Sequence, residues 1–107
     1  MDLKDSCKLL LDKATQKVKC CKFHSKDLNR ELAIHEDVSD KNKTSVTDIV
    51  TGCRLFVIST KVKDVKEGEI KENMQKFINH YTLDSIKAKF EELDKIPMEQ
   101  RFKGNRK

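Results

Sequence analysis

Two cysteines stand side by side in KVKCCKFHSKDL, residues 17–28, and a histidine follows three positions after the second. Three chemistries use such a cluster: a metal site, a redox centre, or an anchor for disulfides. With the distant Cys53, residues Cys20, Cys21 and His24 would complete a Cys₃His set of the kind that holds zinc. The spacing argues against it. Paired ligands of structural zinc sites have two or more residues between them, so that both side chains converge, and no C-x₂-C or H-x₃-H pair occurs anywhere in the chain. A thioredoxin-like centre needs C-x-x-C at a helix start, which is missing too.

Disulfides are the third option. Four cysteines in a 107-residue chain, an even count, fit an oxidising compartment, as does the glycosylation sequon Asn42-Lys43-Thr44 in a polar stretch. A bridge from Cys20 or Cys21 to Cys53 would close a loop of about 33 residues and restrict the unfolded chain by roughly 3–4 kcal/mol. Cys7 reaches the other member of the doublet only if the chain folds back past its first element; otherwise it is a buried free thiol. The competing reading is four reduced cysteines in a cytosolic protein. The candidate disulfide residues are therefore Cys7, Cys20, Cys21 and Cys53, with their pairing open, and Asn42 is the candidate glycosylation site.

The remaining chemistry-bearing residues do not converge. The glycines are isolated at 52, 68 and 104, so no glycine-rich phosphate loop exists. His24, His35 and His80 are scattered, and nothing orders Ser, His and Asp into a triad. Glu91-Glu92 reads as a solvated pair on a helix face. No enzymatic activity, metal or cofactor is expected.

The net charge of +5 and pI near 9.0 predict attraction to acidic partners. Acids and bases are interleaved except in the tail, RFKGNRK, a flexible basic run over about 101–107 that is a candidate for glycosaminoglycan. Interleaved acids, a single Tyr and no arginine cluster disfavour nucleic acid. No run of about 18 apolar residues is present, so no membrane insertion is expected. The runs Leu9–Leu11 and Leu55–Ile58 are too short for a signal peptide core, which leaves a mature secreted form or a cytosolic chain.

These residues need elements to position them. With only three Gly and one Pro, tight turns are scarce, which favours helices over an all-β fold. Leu3, Cys7, Leu10, Leu11, Ala14 and Val18 recur at three and four, which predicts a helix over about 2–19 with Asp2 as cap. Residues 20–44 read as a long connection that Phe23, Leu28, Leu32 and Ile34 pin to the core. Ser45 and Asp48 suggest a capping box for a second helix over 46–64, although CRLFVISTKV is β-branched enough to pass for a strand. Ile70, Met74, Phe77, Ile78 and Tyr81 predict a third helix over 69–81. Thr82 caps a fourth over 83–96, which Pro97 ends. Four apolar stripes satisfy one another in an all-α four-helix bundle, a single domain spanning 1–107. Its long first crossover permits an up-up-down-down path.

In that order the segments LKDSCKLLLDKATQKVKCC, FHSKDL, KNKT, CRLFVIS and FEELDKIPMEQRFK resemble the interleukin-4/interleukin-13 family of short-chain helical cytokines. The resemblance implies a secreted, extracellular, monomeric ligand that bridges two receptor chains in type-2 immune signalling. The receptor would be a heterodimer of an interleukin-4 receptor alpha-like chain and a second chain such as common gamma or an interleukin-13 receptor alpha-like chain. It implies that Asp5, beside Lys8, meets the first chain together with Lys71, Asn73, Lys76 and His80. Asp12, Lys13, Lys87 and Glu91 would face the second. The family's cysteine partners beyond the second helix have no counterpart after Cys53.

Overall fold

A computed structural model describes residues 1–11 and 14–95, with side chains described at all of these except 10, 11, 14 and 15. It contains five strands, β1 (Asp5–Leu11), β2 (Ala14–Ser25), β3 (Arg30–Glu36), β4 (Thr44–Asp48) and β5 (Arg54–Ile58). A 3₁₀ turn (Val62–Asp64) and two helices follow, α1 (Glu67–Tyr81) and α2 (Leu83–Asp94). The strands form one antiparallel meander in the order β1-β2-β3-β4-β5. This overturns the all-α four-helix bundle and, with it, the resemblance to the interleukin-4/interleukin-13 cytokines. The chain is a mixed sheet-and-helix fold, and strands occupy the places of the first two expected helices.

The first helix fails because the apolar periodicity there is that of a hairpin. Within β2 the exposure alternates on either side of the doublet and changes parity at it: Lys17, Lys19, Lys22 and His24 face solvent, while Val18, Cys20, Cys21 and Phe23 are covered. The pairing Cys7↔Val18 and Leu9↔Gln16 places odd positions of β1 opposite even positions of β2. An inward set that changes parity across a turn leaves gaps of three and four, which imitates a helical stripe.

The expected long connection holds β3, the central strand. Its Leu32, Ala33, Ile34 and His35 are all buried, as befits a strand covered on both faces. It is reached by a turn at 26–29, where Asn29 takes a left-handed φ of 54° and the Leu28 N–H donates to Ser25 Oγ at 3.3 Å.

The second expected helix is two strands around a turn. Gly52, at φ 74°, donates its N–H to Asp48 O at 2.8 Å, and the Asp48 N–H donates to Cys53 O at 2.8 Å. The partner of the β-branched β5 is the polar sequence TSVTD of β4, in which every residue is buried. Hydropathy hides this strand because its polar groups are hydrogen-bonded inside the fold. Thr44 donates to Thr60 O at 2.7 Å and Ser45 to Asp37 Oδ1 at 2.6 Å.

Two cores result. On one face of the sheet, Leu28, Leu32, Ile34, Val46 and Ile58 pack with Val65, Ile70 and Met74 and with Ile86 and Phe90 of the helices. On the other face Ala33 meets Cys7, Leu9 and Cys20 of the first hairpin. The second core exists because β2 changes partner at the cysteine doublet. It pairs with β1 up to Cys20 and with β3 from Cys21 onward, so the hairpin turns over the face that the helices leave free.

The helices lie on residues whose spacing is helical. Ile70 and Met74 of α1 and Ile86 and Phe90 of α2 are buried, one turn apart in each case. Thr82 ends the first and caps the second. Its N–H donates to Ile78 O at 2.9 Å, and its Oγ1 accepts the Ser85 N–H at 3.3 Å. The region after Lys95, with Pro97 and the basic tail, lies outside the described residues.

Candidate functional site

The doublet itself divides between the two cores. Cys20 lies in the hairpin core and Cys21 packs against the helix-side core, as adjacent strand residues must. They therefore cannot direct their thiols at one ion, and no group of three or more potential metal ligands occurs among the described residues. Cys53 belongs with Cys21, on the helix side. A Cys20–Cys53 bridge would have to cross the sheet. All four cysteines are thiols here, and Cys7 Sγ lies 2.7 Å from Cys20 Sγ.

Cys21 looks into a cleft of about 640 Å³ between β2–β3 and α1. Its floor is apolar: Cys21, Phe23 and Ile34 from the sheet, Ile70 and Met74 from α1, and Met1 at one end. The exposed rim is polar and carries both signs, with Lys26, Lys71, Asp27 and Glu67 joined by His24 and Gln75, while Ser25 lines the cleft from a buried position. Three rim groups are already paired, His24 Nδ1 with Glu31 at 3.1 Å and Lys71 with Glu67 at 3.6 Å. Both pairs are exposed and add little to stability.

A buried polar cluster lies behind the other face. His35, 2% exposed, donates from Nδ1 to Glu36 O at 2.8 Å, so the neutral ring accepts the Thr47 hydroxyl at Nε2, also at 2.8 Å. Asp37 Oδ1 accepts from Ser45 Oγ and from Arg54 Nη1 at 3.2 Å, while Oδ2 accepts the Ser39 N–H and hydroxyl. These bonds, led by Ser45 and Ser39 and aided by the charge of Arg54, hold the Asp37 carboxyl at about 2, below its ordinary 3.8. Burial pushes His35 below its ordinary 6.5. Every polar group here is engaged, so the cluster positions the β3–β4 connection and leaves no nucleophile free.

Acid sensitivity follows with a definite sign. His35 has a lower pKa folded than unfolded, so the unfolded chain takes up its proton first and stability begins to fall as pH drops below about 6.5. Asp37 contributes about 2 kcal/mol that is complete above its unfolded pKa and lost as pH falls from about 4 to 2. Urea midpoints measured from pH 7 to 3 should show two declines, and His35→Gln should flatten only the upper one. A midpoint constant between pH 6.5 and 5 in the parent protein would show that His35 protonates without cost.

A third cluster ties α2 to the sheet. Arg30 donates from Nε and Nη2 to Asp48 at 2.8 and 2.9 Å, and from Nη1 and Nη2 to Asp94 at 2.9 and 2.8 Å. Its guanidinium lies 4.4 Å from the Phe90 ring centroid. Hydrogen bonds from Asp94 and Asp48 raise its already high pKa. Asp48 also accepts the N–H and hydroxyl of Thr51, at 2.9 and 2.7 Å. No sequence motif marks this constellation, because its members are 18 and 64 positions apart.

The residues expected to meet a receptor do not gather on two helix faces. Asp5 and Lys8 lie on β1, where Asp5 accepts the Lys22 N–H at 3.1 Å. Lys71, Asn73, Lys76 and His80 lie on α1, Lys76 paired with Glu72 at 3.3 Å and His80 edge-on to Tyr81. Lys87 and Glu91 lie on α2 beside Arg30, bordering a shallow cleft. Asp12 and Lys13 are outside the described residues. Asn42 is exposed in the β3–β4 connection. Sequence reading missed the cleft, although the alternation Cys21-Lys22-Phe23-His24 carried the signal that one side of this segment is apolar.

No protein-family model matches the chain, and neither curated proteins nor solved structures gave a match. No helix among the described residues is long and apolar enough to cross a membrane.

Proposed function

We propose that the protein is a non-catalytic binding module whose cleft between β2 and α1 takes a small amphiphilic molecule, its apolar body inside and its polar head at the rim. The observation that carries this reading is the cleft's construction. An apolar floor of Cys21, Phe23, Ile34, Ile70 and Met74 lies under a rim of both charges, in a volume of about 640 Å³. That volume falls within the roughly 300–1,000 Å³ usual for small-molecule sites, and such sites combine apolar walls with a few polar groups that orient the ligand. The charged groups are at the rim. The floor offers hydrocarbon and sulfur, which suits holding a molecule rather than transforming it.

Titration with anilinonaphthalene sulfonate, whose rings and sulfonate mimic such a ligand, tests this. A saturable fluorescence rise with one site per chain is expected. Cys21→Trp, which places an indole in the cleft, should weaken binding at least tenfold while the melting temperature stays within a few degrees. Absence of saturable binding to the parent protein, or equal binding by a folded Cys21→Trp variant, would remove the cleft as the site.

A further inference from the structure

We propose that Cys7 and Cys20 form an intramolecular disulfide that closes the first hairpin where β2 changes partner, and that the bond is made in an oxidising compartment as the chain folds. The register pairs Cys7 with Val18 and Asp5 with Cys20, which makes the two cysteines diagonal neighbours on one face of the β1–β2 ribbon. The strong right-handed twist of a two-stranded ribbon draws one of its diagonals together. The two sulfurs are 2.7 Å apart. Both residues are buried, Cys7 at 6% and Cys20 at 0%, in one small cluster with Leu9 and Ala33.

The β1–β2 register selects this pair from the four thiols while the hairpin forms, and the finished sheet keeps it apart from the other two. Cys21 and Cys53 pack on the helix side, so neither competes for Cys20 in the folded chain. The bond would join two adjacent strands whose pairing it leaves unchanged.

Glutathione disulfide serves as the oxidant. The thiolate of one cysteine attacks a glutathione sulfur, forming a mixed disulfide and releasing one glutathione thiolate. The second cysteine's thiolate attacks the protein sulfur of that mixed disulfide, forming the Cys7–Cys20 bond and releasing the second glutathione. The two cysteine protons end on the two glutathione thiols, and two electrons pass from the protein to the oxidant. Exchange needs a thiolate. In the folded reduced chain, burial and the neighbouring Cys7 thiol push Cys20 up to about 12. Oxidation therefore belongs to the stage before the hairpin closes over β3, and the buried bond is afterwards sheltered from exchange.

The test is to refold the full, reduced chain in a buffer of reduced and oxidised glutathione, then alkylate it with iodoacetamide in denaturant without reduction and weigh it. The expected product carries two alkyl groups and is two hydrogens lighter than the dithiol form. The Cys21→Ser/Cys53→Ser double variant, treated the same way, should retain the bond and carry no alkyl group. Reduction should lower the melting temperature of either form by roughly 10–15 °C, given the short loop that is closed. Four alkyl groups on the parent chain, or loss of the bond in the double variant, would overturn the assignment.

Discussion

Replacing Arg30 with Met is expected to destabilise the protein by about 3–5 kcal/mol, because the substitution removes the guanidinium that bridges Asp48 and Asp94 and leaves Asp48 buried. Asp48 is fully buried, and its partner's side chain is 13% exposed, so water cannot take the place of the guanidinium. At about 4 °C per kcal/mol for a domain of this size, the melting temperature should fall by roughly 12–20 °C. Most of that loss reflects an uncompensated charge rather than the worth of the pair. The diagnostic result is therefore the double variant Arg30→Met/Asp48→Asn, which should recover more than half of it. Asparagine keeps an acceptor for the Thr51 N–H and hydroxyl that bond Asp48 in the parent. The other carboxylate, Asp94, is 39% exposed, so Asp94→Asn should cost no more than about 1 kcal/mol. Urea denaturation of the three variants beside the parent checks the set. An Arg30→Met loss below about 1 kcal/mol, or no recovery in the double variant, would mean that α2 is held to the sheet by Phe90 and Ile86 alone.

The second large effect should come from Leu32→Ala, at about 2–5 kcal/mol. Leu32 is 0% exposed, lies on the central strand, and belongs to the core that joins the sheet to both helices. Truncation leaves a cavity between elements that are tied in place on either side, β4 by its ladder with β3 and α2 by the Arg30 clamp. The site can collapse only partly, which places the cost in the upper part of that range. Val38→Ala provides the comparison, since Val38 is 53% exposed and its loss should stay within about 0.5 kcal/mol. Similar urea midpoints for the two variants would show that the sheet–helix interface is not the main core.

The cleft and the two cysteines depend on the same feature, the change of partner within β2. Up to Cys20 the strand serves the hairpin core, and from Cys21 it serves the helix-side core and the cleft. A substitution that removes this change of partner would disturb both together, whereas Cys21→Trp and Cys21→Ser/Cys53→Ser alter the helix side alone and leave Cys7 and Cys20 in place.

Parts of this arrangement are present in local sequence. The apolar spacing of residues 70–90 and the threonine between the two helices mark α1, α2 and their junction, because a helix satisfies its hydrogen bonds within itself and needs a neighbour only for its apolar stripe. Leu28, Leu32 and Ile34 are core residues whether the segment is read as loop or strand, since burial follows side-chain chemistry. The alternation around the doublet was equally visible, and it already required Cys20 and Cys21 to diverge if the segment were extended.

Whether that segment is extended was a tertiary matter. A strand's backbone groups are satisfied only by another strand, and those partners here are set by register between residues distant in the chain. TSVTD was unreadable as an interior strand because its four polar residues become buried only once Thr60, Asp37, His35 and Arg30 supply their hydrogen bonds. The same holds for Arg30, Asp48 and Asp94, three charges that look solvated in the sequence and form a clamp when folded. The sequence by itself determined the C-terminal helix pair, the charge balance and the identity of the apolar residues, all of which depend on near neighbours. The tertiary structure decided strand against helix in the first half, which cysteine faces which, and where a cleft opens, because each of these depends on pairings that only the closed chain brings within reach.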